Sequence, residues 1–162
     1  MGVNYQELAT GKWYEELEVG NVYRHAITRT VCEADNLLFS ALTFNSAWLH
    51  MDEEYSKSVG HPGRLVNSLF TLSLACGVTV ADTTLGTTQG NLGFTDVKFS
   101  APVYIGDTLR SETEIISKRE SKSRPQSGIV EFETRSYNQR DEVVLSFRRT
   151  GMMLKKAAAA AA

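Results

Sequence analysis

Cysteine is scarce in this chain. Cys32 and Cys76 are the only two, and neither their number nor their spacing suggests a disulfide framework or a zinc site. Proline is nearly as rare, at three residues in 162, and hydrophobic residues make up 42%. That composition argues against disorder over the body of the chain. No run approaches the roughly 18 apolar residues that a membrane span requires. The opening MGVNYQELATGKWYEEL lacks an apolar signal core. Gly2 does not complete a myristoylation motif, because the sixth residue is Gln6 rather than Ser or Thr. Charge of neither sign dominates, with 17 basic and 19 acidic residues and a net of −2. Without a basic stripe, nucleic acid is not an expected partner. Lys118, Arg119, Lys122 and Arg124 stand in a Ser-rich stretch that reads as a solvated turn, a phosphate contact being the alternative.

What is present is an ordinary globular domain. The last six residues, 157–162, are all alanine after Lys155 and Lys156 and are set aside as a low-complexity tail. The remaining residues, 1–156, are expected to form one soluble, cytoplasmic domain with a real core. Residues 21–31 (NVYRHAITRTV) are β-branched and alternating, which predicts a strand. Residues 33–42 predict a short helix, with Thr30 as N-cap and Glu33 closing a capping box. Residues 52–59 predict a second helix, stopped by Gly60, His61, Pro62 and Gly63. Residues 65–80 (LVNSLFTLSLACGVTV) are apolar on nearly every side, the mark of a buried helix. Residues 91–101, 107–118, 129–138 and 143–154 alternate and predict long strands joined by turns. One strand, short helices, a buried helix and then a run of strands is an α+β order, in which an antiparallel sheet wraps a central helix.

Four segments in this order resemble a known family. They are residues 14–20 (YEELEVG), 34–52 (ADNLLFSALTFNSAWLHMD), 65–77 and 99–107 (FSAPVYIGD). The chain resembles the MaoC-like hydratases and dehydratases, which include the (R)-specific enoyl-CoA hydratases. The resemblance implies a hot-dog fold, a long central helix wrapped by an antiparallel sheet. It implies work as a homodimer or fused double domain, with an acyl-CoA substrate whose pantetheine arm lies at the interface. The implied reaction is reversible addition of water across the double bond beside a thioester carbonyl. No cofactor is expected beyond the coenzyme A carried by the substrate, and no metal.

The resemblance places the proton work on His50, whose imidazole titrates near neutral pH. The family usually has an aspartate five residues before this histidine, and here that position is Asn45, with Trp48 where proline is common. Asn45 is not a base. It either orients a water or shapes the loop through backbone hydrogen bonds. The oxyanion donor carried over from the family is a backbone N–H at the helix start, here that of Ser68. Asn67 either lines the pocket or caps the helix. Cys76 falls where some relatives carry a serine near the active-site water, and otherwise reads as a small core residue. Arg64 is the candidate cation for a second carboxylate on the acyl group. Asp52 is expected to fix local backbone and Asp35 to be a surface or capping residue. His25 and His61 are read as structural or exposed.

The ALTFN segment before His50 resembles the branch acting on branched or carboxylated acyl groups such as mesaconyl-CoA and β-methylmalyl-CoA. Two other readings share the fold. A thioesterase also polarises a thioester, but usually needs a carboxylate near the helix start, and residues 65–74 contain none. A non-catalytic acyl-CoA-binding subunit would account for Asn45 in place of an acid.

Overall fold

The computed structural model describes Tyr5 and residues 7–156; Gly2 and the alanine tail lie outside the described residues. A 3-10 turn, Tyr14–Glu16, is followed by β1 (Val22–Arg24), β2 (Arg29–Thr30) and three short helices, α1 (Glu33–Leu42), α2 (Trp48–Met51) and α3 (Glu53–Ser58). The central helix α4 (Ser68–Val78) and a terminal turn α5 (Val80–Thr83) lead into four long strands. These are β3 (Thr88–Phe99), β4 (Thr108–Glu120), β5 (Ser127–Tyr137) and β6 (Val143–Leu154). The sheet is antiparallel, in the order β1-β4-β5-β6-β3, with β2 also paired to β4.

The expected strand over residues 21–31 is broken in two. Arg24 pairs with Glu112 and Arg29 with Leu109, so the four residues 25–28 stand against two of β4 and the excess loops out. At the break His25 turns inward and is buried, bonded to Asp82 through Nδ1 (3.0 Å) and to Thr113 through Nε2 (2.9 Å). The capping box of α1 lies two residues later than expected. Cys32 is the N-cap and its N–H donates to Asp35 Oδ2 at 2.9 Å, while Thr30 stays in β2 and bonds Thr108. Burial pushes the Asp35 carboxyl up, but the bonds from Cys32 and Arg29 outweigh it and hold it below the usual range.

The central helix begins at Ser68, not at residue 65. Leu65 forms a β-bridge with Tyr104 and the Val66 N–H donates to Val103, so these two apolar residues extend the sheet before Asn67 starts the helix. Strands β5 and β6 alternate cleanly between buried and partly exposed positions, as a sheet with one face on the core requires. Two clusters fill the space behind it. Val31, Val66, Ala75, Leu109, Leu145 and Phe147 meet α4, while Tyr14, Leu17, Ile115, Val130, Phe132 and Met153 close the other end. Gly128 admits the Tyr14 ring against its backbone, where a Cβ would stand 2.1 Å from the ring. The sheet covers only one side of α4, and Ser68, Leu69, Ser73 and Gly77 face outward. Among the described residues no helix is long and apolar enough to cross a membrane.

Candidate active site

Helix α1 buries two polar residues one turn apart, Asn36 and Ser40. Asn36 Nδ2 donates to the His50 carbonyl at 3.0 Å, and its Oδ1 accepts the Asn67 N–H at 2.9 Å. Ser40 Oγ accepts from Asn67 Nδ2 at 3.2 Å. One helix thus pins both the histidine segment and the start of α4. In the sequence Asn36 is marked only as a polar residue within the apolar run of a short helix.

After α1 the chain turns through Phe44, which holds φ at +53° and is almost fully exposed. The Asn45 N–H donates to the Ser40 carbonyl (2.9 Å), and Asn45 Oδ1 accepts from Ala47 N–H (3.1 Å). Asn45 therefore shapes the loop that delivers His50, with one oxygen lone pair and its NH2 group still available.

His50 lies in α2, and its Nδ1 is 2.9 Å from the Leu65 carbonyl oxygen. A carbonyl can only accept, so Nδ1 carries the proton and donates it. That bond fixes the tautomer and leaves the lone pair on Nε2. Asp52 caps α3, its Oδ1 accepting from Tyr55 N–H at 3.0 Å, and so closes the segment.

Three residues beyond Leu65 lies the start of α4. Asn67 is buried and caps the helix, its Oδ1 accepting the Leu69 N–H at 3.0 Å. The Ser68 N–H has no acceptor among the described residues. It is one of the free donors at a helix N-terminus, where the dipole favours negative charge. Ser68 opens on an apolar cavity of about 220 Å³ whose lining includes Val66, Thr71, Phe99, Val103 and Val144. The free lone pair of His50 Nε2 is able to accept a proton, and a free backbone N–H beside an apolar cavity is able to stabilise a polarised carbonyl.

The remaining candidates stand apart. Arg64 pairs with Glu33 and lines a separate cavity of about 430 Å³ with Tyr104, Asp107 and Arg140, a lining that includes neither His50 nor Ser68. His61 Nδ1 bonds the Tyr104 hydroxyl at 2.9 Å. Cys76 lies two turns along α4, its sulfur 3.3 Å from Arg149 Nη1. Among the described residues no group of three or more His, Cys, Asp or Glu side chains could hold a metal ion.

Known proteins resemble this chain in sequence and fold. The chain is 36% identical over 152 residues to the mesaconyl-CoA hydratase of Cereibacter sphaeroides, covering 94% of this chain and 44% of that one. It is 32% identical over 146 residues to the β-methylmalyl-CoA dehydratase of Chloroflexus aurantiacus, covering 90% and 41%. The chain thus spans under half the length of either relative. A Mycobacterium tuberculosis protein with a double hot-dog fold superposes with a TM-score of 0.83 at 22% identity, over 91% of this chain and 45% of that one. The fold is therefore the hot-dog fold. The model of the MaoC like domain matches residues 15–137, a stretch running from before β1 to the end of β5 and including the histidine loop and α4, and the chain belongs to that family.

Proposed function

We propose that this chain is a hydro-lyase that adds water to a 2-enoyl-CoA thioester, or removes it from the 3-hydroxyacyl-CoA. The observation that carries this reading is the His50 Nδ1–H bond to Leu65 O, which leaves the Nε2 lone pair free and ties the histidine to a residue three positions before the free Ser68 N–H. In hydration, His50 Nε2 takes a proton from water as the water oxygen bonds the β carbon. The π electrons move toward the thioester oxygen, where the Ser68 N–H and the α4 dipole stabilise the developing charge. The same proton then passes to the α carbon and the carbonyl re-forms, so one water is added and nothing else changes. Asn45 uses its remaining lone pair and its NH2 group to orient that water.

The named activities of the two relatives support an acyl group that is branched or carries a second carboxylate. Two features support a homodimer. Strand β3 is an exposed edge, with Leu92, Phe94, Val97 and Phe99 open to solvent, and the chain spans under half of either relative. The pantetheine arm would then lie where α4 of one copy faces the other.

Replacing His50 by alanine tests the reading. Hydration of crotonyl-CoA or mesaconyl-CoA, followed by loss of enoyl absorbance, should fall by about 10²- to 10⁴-fold, the usual contribution of a positioned general base. Wild-type rates in that variant would sink the role of His50. Release of free thiol by the unaltered protein without change at the enoyl would mark a thioesterase, and binding of CoA esters without turnover a non-catalytic subunit.

A further inference from the structure

Arg149 sits on the inner face of β6, only 8% exposed, between the two apolar clusters. Among the described residues its guanidinium meets the Cys76 sulfur at 3.3 Å and the face of Phe132 at 5.1 Å, and no carboxylate. The arginines on the outer face of the same sheet differ. Arg135 holds Glu112, Glu114 and Glu133, and Arg148 holds Glu131 and Glu133. A guanidinium carries a permanent charge and five donors, and withdrawing it from water without an anionic partner is strongly unfavourable. A thiol is a poor acceptor and satisfies little of it. The fold therefore holds a buried cation whose counter-charge the sheet and α4 do not supply.

Its place in the fold says what could supply one. In the β3–β6 register Phe99 pairs with Leu145 and Phe94 with Arg149. Helix α4 runs alongside from Ser68 to Cys76, with Leu69, Ser73 and Gly77 open to solvent. The free Ser68 N–H and the 220 Å³ cavity lie at the start of α4, and the partly buried Cys76 with the buried Arg149 lies toward its other end. Eight helical residues separate the two ends by about 12 Å along the axis. An extended four-carbon diacid monothioester spans roughly 6–7 Å from thioester oxygen to remote carboxylate, and a hydrogen bond of about 3 Å at each end brings it to the same length.

We infer that Arg149 receives the free carboxylate of a dicarboxylic acyl group and selects that class of substrate. This rests on the hydratase reading. Arg64, the cation singled out by sequence, already has Glu33 as its partner and stands in a different cavity.

Mesaconyl-CoA and crotonyl-CoA, with and without a second carboxylate, are the probes, assayed with the full chain and with Arg149→Met and Arg149→Lys. Arg149→Met should lower kcat/KM for mesaconyl-CoA by about 100-fold or more, mainly through KM, the usual scale for removing one partner of a buried charge pair. Crotonyl-CoA hydration should change little, and Arg149→Lys should restore part of the mesaconyl-CoA rate. An equal fall for both substrates overturns the inference and marks Arg149 as structural or as the partner of an acid from a second copy. Should Arg149→Met not fold, Arg149→Lys decides: a higher KM for mesaconyl-CoA alone supports the inference, and equal changes for both overturn it. Unaltered protein that hydrates crotonyl-CoA but not mesaconyl-CoA sinks the role of Arg149 and leaves the hydratase reading standing. Turnover of neither sinks the hydratase reading itself.

Discussion

The β4–β5 flank of the sheet and the β3–α4 flank are built to different standards. On the first, the inner side chains Ile115, Val130 and Phe132 are fully buried, and the outer face is laced by Arg135 and its three glutamates. Tyr14 closes the end over Gly128. On the second, β3 pairs with β6 alone, Leu92 and Phe94 are open to solvent, and α4 shows Leu69 to the outside. The free Ser68 N–H, the exposed Phe44 of the histidine loop and the uncompensated Arg149 belong to this second flank. One flank pairs its outer charges and buries its apolar side chains, and the other leaves apolar surface and polar groups without partners in this chain.

Core truncation on the finished flank should therefore be the most damaging change to stability. Phe132→Ala removes a fully buried ring that also faces Arg149. It should cost about 3–5 kcal/mol by urea unfolding, the range for deleting a buried aromatic. A loss below about 1 kcal/mol would mean the cluster around Phe132 packs loosely, and the contrast between flanks would fail.

On the unfinished flank the effect should appear in assembly rather than folding. Leu92→Asp puts a charge on an exposed edge strand, where it opposes pairing with another edge. Sedimentation should show the unaltered chain as a dimer and the variant as a monomer. The stability of the monomer should shift by no more than about 0.5 kcal/mol, as for most surface substitutions. A variant that remains dimeric would move the interface off β3.

The same contrast governs what could be read in the sequence. Strands β4, β5 and β6 were legible because one face is buried, which forces alternation with period two. The resemblance in the ALTFNSAWLHMD segment singled out His50, and the structure puts a hydrogen bond on its Nδ1. The start of α4 was misplaced because Leu65 and Val66 are as apolar as the helix that follows, and only their pairing with Val103 and Tyr104 tells them apart. The break after Arg24 was invisible because it depends on the length of β4 opposite. Asn36 and Arg149 were missed for one reason. A polar residue on a buried face looks like any polar residue until its neighbours along the chain fold are known.

The smallest expected effect tests whether the outer charges of the finished flank contribute at all. The Tyr137 hydroxyl donates to Glu112 Oε1 at 2.8 Å, and Arg135 Nε reaches the same oxygen at 3.3 Å. The tyrosine bond, opposed by partial burial and assisted by Arg135, holds the Glu112 carboxyl below its usual range. Burial and then the bond to Glu112 push the Tyr137 hydroxyl above its usual value. For the carboxylate, a depressed folded value means stabilisation that is complete above its unfolded pKa of about 4.3 and is lost as pH falls through the folded value. For the tyrosine, a raised value means stabilisation complete below about 10 and lost as pH rises through the folded value. Glu112→Gln should therefore cost about 0.5–1 kcal/mol between about pH 6 and 9, a partly exposed network lying at this low end. The gap from the unaltered protein in urea midpoint should narrow as pH drops below about 4, because the protonated glutamate and the glutamine are then alike in charge. A gap that stays constant down to about pH 2 would assign Glu112 a packing role and remove the charge lattice from the description of that flank.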